Sequence, residues 1–149
     1  VTREEILCSF LGKAWAANAK GPEAYDCWHC AVAVERDLFS RELPDIAVPL
    51  APSWSWMIEA IETHPERVHW SEVPYDKMGL IKAGDGALVL MARVDRPAHI
   101  GVWLAKERAI IHSDSKYGVI CDSTTDLRFK GWTRLRFYQP REGLRDGSN

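Results

Sequence analysis

Six short segments rich in β-branched and aromatic residues follow one another through the second half of this chain: RVHWSEV at 67–73, ALVLMARV at 87–94, AHIGVWL at 98–104, RAIIHS at 108–113, YGVICD at 117–122 and WTRLRFY at 132–138. Each has the length and patterning of a strand, and turn residues or charges separate them. The first half reads differently. Residues 2–18 predict a helix with Thr2 as N-cap, Glu5 at the capping-box position, and Ile6, Phe10, Ala14 and Trp15 among its apolar positions. After Gly21-Pro22, Asp26 caps a second helix over 27–41, expected to stop before Pro44 because a residue preceding proline avoids the helical region. Ser53 or Ser55 starts a third, SWMIEAIETH, closed by Pro65. Helices first and a run of antiparallel strands after them predict an α+β domain rather than a doubly wound sheet.

A chain of 149 residues is enough for one such domain with a real core. Residues 1–141 contain no repeat or linker, and the polar, Gly-containing tail, 142–149, is expected to fray. The net charge of −2 provides no field for holding a polyphosphate backbone, so nucleic acid is not an expected partner. The longest apolar run, GALVLMARV, falls well short of the roughly 20 residues of a membrane span. The amino terminus, VTREEILCSFLGKAW, lacks the build of a signal peptide, which leaves localisation open between the cytoplasm, export by another route, and a peptide already removed. Four scattered cysteines, Cys8, Cys27, Cys30 and Cys121, are expected to be mostly reduced thiols rather than a disulfide framework.

Two of those thiols share the stretch YDCWHCAVAV at 25–34. Cys-x-x-Cys opening a helix is the arrangement of thiol–disulfide exchange proteins, but those need a buried parallel strand running into the motif. The preceding WAANAKGPEAYD does not make one. A metal site needs a second ligand pair, and Cys121, His64, His69, His99 and His112 show no such spacing; no metal or cofactor is expected. Helix geometry divides the pair. Cys27, Cys30, Ala31, Val34 and Leu38 fall on one stripe and His29 on the opposite side, so Cys30 is placed like a core residue. Cys27 stands in the first turn, where free N–H groups and the helix dipole favour a thiolate.

Acyl chemistry at a thiol needs an imidazole to take and return a proton. In PAHIGVWL the alternation puts His99, Gly101 and Trp103 on one face and the aliphatic residues on the other. On this strand alone, the favoured reading of His99 is a half-buried histidine bonded to backbone. A tight hairpin with Leu104 opposite Ala109 brings His112 opposite Gly101 and Asp114 opposite His99, all on one face. The missing side chain at Gly101 leaves room for the His112 ring to lean toward His99. A register slipped by one residue sends His112 to the other face.

These residues resemble the NlpC/P60 cysteine peptidases, most closely the small versions encoded with phage and prophage tail genes. The matching pieces run in family order: LGKAW at 11–15, GPEAYDCW at 21–28, ELPD at 42–45, WSEVP at 70–74, GDGALVLM at 84–91, HIGVWL at 99–104, AIIHSD at 109–114, GVICDS at 118–123 and RLRFYQP at 134–140. The resemblance implies a papain-like fold over residues 1–141, with Cys27 as nucleophile at the amino end of a helix, His99 as base and His112 as the orienting third residue. It implies substrate contacts from Trp15, Trp28, His29 and Asp114, and no cofactor. The implied partners are peptidoglycan stem peptides and phage tail proteins. Trp15 stands where the family often has Tyr. His29-Cys30 replaces the family's Gly-Leu, setting a ring where close backbone approach is usual.

Two rivals stay beside the hydrolase: an inactive structural tail component of the same fold, and a thiol–disulfide exchange protein using Cys27 and Cys30. The remaining signals have plainer explanations. Trp15, Trp54, Trp56 and Trp70 sit among apolar residues and read as core. Arg134, Arg136 and Arg141 read as a solvated strand face, with a grip on stem-peptide carboxylates as the lesser alternative. His64 and His69 read as loop residues.

Overall fold

The structure, a computed structural model, describes residues 1–43, 45–46, 48–49, 52–63, 70–74, 81–93 and 98–140, with the backbone alone for 58 and 60–63. Pro44, His64, Pro65, His69, Arg141 and the tail lie outside the described residues.

Helix α1 (Arg3–Phe10) opens on the expected capping box: Glu5 N–H donates to Thr2 Oγ1 at 3.1 Å, and Thr2 N–H donates to Glu5 Oε1 at 3.2 Å. It ends well before residue 18. Gly12 takes φ +86, a conformation that suits a residue without Cβ, and its N–H donates to Val119 O at 3.0 Å. Val119 N–H donates back to Lys13 O at 2.9 Å. Pairing with a distant strand thus takes the backbone groups that a longer helix would use. Ala14–Trp15 becomes a short strand, β1, parallel to β2 (Ala24–Tyr25).

Helix α2 (Cys27–Phe39) starts where expected, with His29 N–H donating to Asp26 Oδ1 at 2.7 Å. It stops two residues earlier than expected, at a left-handed Ser40. Ser40 N–H reaches Arg36 O at 3.2 Å and Arg41 N–H reaches Glu35 O at 3.1 Å, so backbone capping closes the helix before any proline does. Helix α3 (Trp54–Thr63) begins after Ser53, whose Oγ accepts from Trp56 N–H at 3.0 Å.

All six expected strand segments form one antiparallel sheet: β3 (Trp70–Val73), β4 (Leu88–Ala92), β5 (His99–Leu104), β6 (Ala109–Asp114), β7 (Gly118–Asp122) and β8 (Arg134–Pro140), in spatial order β3-β8-β4-β5-β6-β7. The architecture is the expected α+β one. A short helix, α4 (Thr124–Phe129), was not anticipated; a second capping box, Ser123 with Asp126, starts it.

Helix α2 packs Cys30, Ala31 and Val34 onto Ile100, Val102, Leu104 and Ile111 on one face of the sheet. Burying each such aliphatic side chain contributes about 1.5–3 kcal/mol. The other face is filled too, by Val89, Met91, Trp103, Ile110 and Phe137 under Leu127 of α4 and Trp132. Strands β4 and β5 are therefore buried at every position, and the face carrying His99 is closed rather than open. Asp85 in the GDG turn ties the layers: its carboxylate accepts from Ala105 N–H at 2.9 Å and from the Arg3 guanidinium at 2.8 and 2.9 Å. Among the described residues no helix is long and apolar enough to cross a membrane.

Candidate active site

The chain enters α2 through β2, where Ser113 Oγ donates to Tyr25 O at 2.7 Å and Asp26 N–H donates to Ala19 O at 2.9 Å. These contacts set Cys27 at the floor of a cleft that also exposes Trp15, Arg93, His99, Asp114 and Trp132. The N–H of Ile100, next in the chain to His99, faces the Cys27 thiol together with the N–H groups of Cys27 and Trp28. Those donors favour a thiolate, as the helix position suggested, but burial outweighs them. With the charge of Asp26 adding to it, burial pushes the Cys27 thiol up to about 12. The expected thiolate is thus a thiol in the free protein.

His99 is the first residue of β5. Its Nε2 lies 2.8 Å from His112 Nδ1, and its ring stacks on Trp132 with centroids 5.0 Å apart. Burial, then the neighbouring His112 and Arg93, holds the His99 imidazole well below its ordinary 6.5. The hairpin register is Leu104↔Ala109, Trp103↔Ile110 and Val102↔Ile111, the one that sets His112 across from Gly101. A Cβ at Gly101 would lie 3.0 Å from His112 Cβ and 2.8 Å from Ile111 O, so the close approach of the two histidine-bearing strands requires glycine there.

The array continues into β7. His112, wholly buried at 0% exposure, places Nε2 2.8 Å from Asp122 Oδ2, and Lys130 Nζ reaches both oxygens of Asp122 at 2.9 Å. Burial works against the charge on Asp122, yet the hydrogen bonds from His112 and Lys130 hold its carboxyl below the usual range. An ionised Asp122 accepts the His112 Nε2 proton, which leaves His112 Nδ1 to accept from His99 Nε2–H. The lone pair on His99 then sits on Nδ1, the nitrogen not engaged with His112. Sequence reasoning missed Asp122. In the register Ile110↔Asp122 and His112↔Ile120 it is the diagonal neighbour of His112 on the same face, and extending the hairpin argument by one strand would have found it.

The other candidates divide. Trp15 and Asp114 line the cleft. Among the described residues Asp114 bonds no imidazole: its Oδ1 accepts from Lys116 N–H at 2.7 Å and Tyr117 N–H at 3.2 Å, closing the β6–β7 turn. Trp28 is buried in the core beneath α2 and is not among the cleft residues. Nor is His29. Its Nδ1 lies 2.9 and 3.0 Å from the two oxygens of Asp26, and its Nε2 lies 2.7 Å from Asp45 Oδ1. The ring therefore joins the helix cap to the ELPD segment, and Lys20 Nζ meets Asp45 from the far side at 2.7 Å. The His29 side chain does not obstruct the cleft because it points into this clasp. Replacing His29 with Ala leaves the buried Asp26 without its ring partner and should lower stability by about 1–3 kcal/mol in urea denaturation.

Cys30, 1% exposed, is a core residue whose thiol is raised by burial and then by Cys27 and Cys121. Both Cys27 and Cys30 are free thiols. The strand entering the motif is the two-residue β2 outside the main sheet, which is antiparallel throughout, unlike the exchange proteins.

Among solved structures the chain is similar to the NlpC/p60 domain of the peptidoglycan hydrolase SagA, with a TM-score of 0.53 and 16% identity over 91% of this chain and 92% of that one. At that identity the likeness establishes the fold. No protein-family model matches the chain, and no curated protein matches it in sequence.

Proposed function

We propose that this chain is a cysteine hydrolase that cleaves an amide bond in the stem peptides of peptidoglycan, with Cys27 as nucleophile, His99 as general base and acid, and His112 and Asp122 as the groups that orient it. The observation that carries the reading is the His99–His112–Asp122 chain, with its 2.8 Å links, opening on the same cleft as a cysteine at a helix amino terminus. The shared fold with a domain of a peptidoglycan hydrolase and the motif resemblance support the choice of substrate.

A thiol raised to about 12 beside an imidazole held low makes a neutral pair, so the proton moves during attack rather than before it. His99 Nδ1 takes the thiol proton as Cys27 Sγ bonds to the amide carbon. The carbonyl oxygen becomes an oxyanion next to the Cys27 backbone N–H. Collapse breaks the C–N bond, and the leaving amine takes the proton from His99. Water then attacks the thioester, His99 accepts its proton, and the thiol reforms as the carboxylate product departs. Trp15 and Asp114 flank the bound peptide in the cleft. The resemblance to phage-tail versions supports delivery to the wall as part of a tail assembly, with tail proteins as partners.

Incubating the protein with purified peptidoglycan and analysing the soluble fragments by mass spectrometry tests this. The expected result is new stem-peptide termini, each cleavage adding one water. Intact stem peptides across several wall chemotypes, with the protein folded, would overturn the enzyme and favour the structural tail component.

A further inference from the structure

Beside the catalytic cleft lies a second one, lined by Trp54, Thr124, Arg128, Trp132, Arg134 and Arg136. Three arginines line it, and none of the described lining residues is acidic. Arg134 and Arg136 sit two apart on β8 and so share a face of that strand. Both lean on one indole: their guanidinium carbons lie 4.4 and 5.7 Å from the centroid of Trp54. A guanidinium over an aromatic ring keeps its edge N–H donors available, and those donors can grip a carboxylate with two parallel hydrogen bonds. Arg136 has a counter-charge in Glu72 at 3.7 Å. Arg128 and Arg134 are exposed cations at the mouth of the same cleft.

Trp132 lines both clefts and stacks on His99, so the two are neighbours across one indole. Trp54 is held close by the chain itself. Two residues before it, Pro52 O accepts from Ala98 N–H at 2.7 Å, immediately ahead of His99 in sequence. A peptide with its scissile carbonyl over Cys27 meets the arginines if it extends past Trp132.

We propose that this arginine-lined cleft is a substrate subsite that recognises a free carboxylate on the stem peptide, and so selects stem peptides whose side carboxyl is not amidated. The proposal rests on the hydrolase reading, and it assigns to Arg128 and Arg134 a discrimination that the catalytic residues do not supply. An anionic wall polymer carries the same charge as phosphodiesters, and the test separates the two sources.

Steady-state cleavage of two synthetic stem tetrapeptides, identical except for a free carboxylate or a carboxamide at the acidic residue, is measured with wild type, Arg128→Gln and Arg134→Gln. Wild type should prefer the free acid at least about tenfold in kcat/KM, expressed mainly in KM, as expected for lost paired hydrogen bonds to a charged group. In the variants that ratio should fall toward one, and the wild-type preference should weaken with added salt. The same pair of peptides is titrated onto Cys27→Ala by tryptophan fluorescence, which reads the subsite without catalysis. Equal use and equal binding of the two peptides by wild type and the variants would overturn the subsite while leaving the hydrolase standing. Charge-dependent binding to Cys27→Ala with no cleavage by wild type would overturn the hydrolase and leave the cleft a carboxylate-binding site rather than a substrate subsite. Binding of poly(glycerol phosphate) that is lost in the arginine variants, with no preference between the peptides, would assign the cleft to the polymer and overturn the proposal.

Discussion

Cys27→Ala should lose peptidoglycan cleavage by at least about 10³-fold while keeping its fold, whereas Cys30→Ala should keep most of the activity and lose stability instead. The asymmetry follows from where one helix puts two thiols. Cys27 opens the helix and lines the cleft with His99, whereas Cys30 is 1% exposed in the core under Val34 and Ile100. On the proposed mechanism, removing the Cys27 thiol removes the covalent route. Removing Cys30 leaves a small void, with a cost of about 1 kcal/mol, typical of a point substitution. Cleavage rates and thermal midpoints of the two variants check both halves. Equal loss of activity in both, with a disulfide between the two sulfurs in the wild type, would return the chain to thiol exchange. Alkylation of Cys27 by iodoacetamide should also be slow at pH 7 and climb toward the alkaline range, because its thiol is pushed up to about 12.

Asp122→Asn should lower kcat by about 10²-fold with little change in KM. Asp122 does not line the cleft and is proposed to act through His112, as the acceptor at 2.8 Å that keeps the His112 Nε2 proton in place. An amide at that position can present its NH₂ to His112, which reverses both tautomers and puts a proton on His99 Nδ1, where a lone pair is needed. A residue that merely supported the fold would shift the denaturation midpoint and leave the pH profile unmoved. In the wild type, burial beside His112 and Arg93 holds His99 well below 6.5, so activity should persist into mildly acidic solution before His99 takes up a proton. The sign for stability is the same. Unfolded, this histidine binds a proton near its ordinary value; folded, it binds one only at lower pH. Its contribution is therefore complete above about 6.5 and is lost as pH falls through the lower folded value. In Asp122→Asn the acid limb of the rate profile should move, and an unshifted profile at reduced rate would count against the tautomer argument.

The parts of the site that were legible from the residues are those fixed by local rules. Asp26 caps because its carboxylate reaches the His29 N–H. His99 and His112 meet because a four-residue turn and a period of two leave one register in which both point the same way. Other parts needed a third strand or a distant loop. Asp122 joins the histidines through the β6–β7 pairing, and Asp45 joins His29 across sixteen positions of chain. The first helix was drawn too long for a related reason. Lys13, Ala14 and Trp15 carry helix-compatible side chains, but Gly12 turns the chain at φ +86 and Val119 offers the backbone a strand partner, a choice that no window of neighbouring residues contains.

The sequence by itself determined three helices ahead of six main-sheet strands, the caps of α1 and α2, and the places of Cys27 in the first helical turn and Cys30 on the buried stripe, because each of these depends on groups within a few residues of one another. Tertiary structure alone decided the protonation of the site. A helix amino terminus favours a thiolate and an isolated histidine titrates near neutrality. Packing α2 on the sheet and closing the other face with Trp132 removes the water that would solvate either charge. Desolvation then raises the thiol and lowers the imidazole, and it depends on what lies on all sides of a group rather than on its neighbours in the chain.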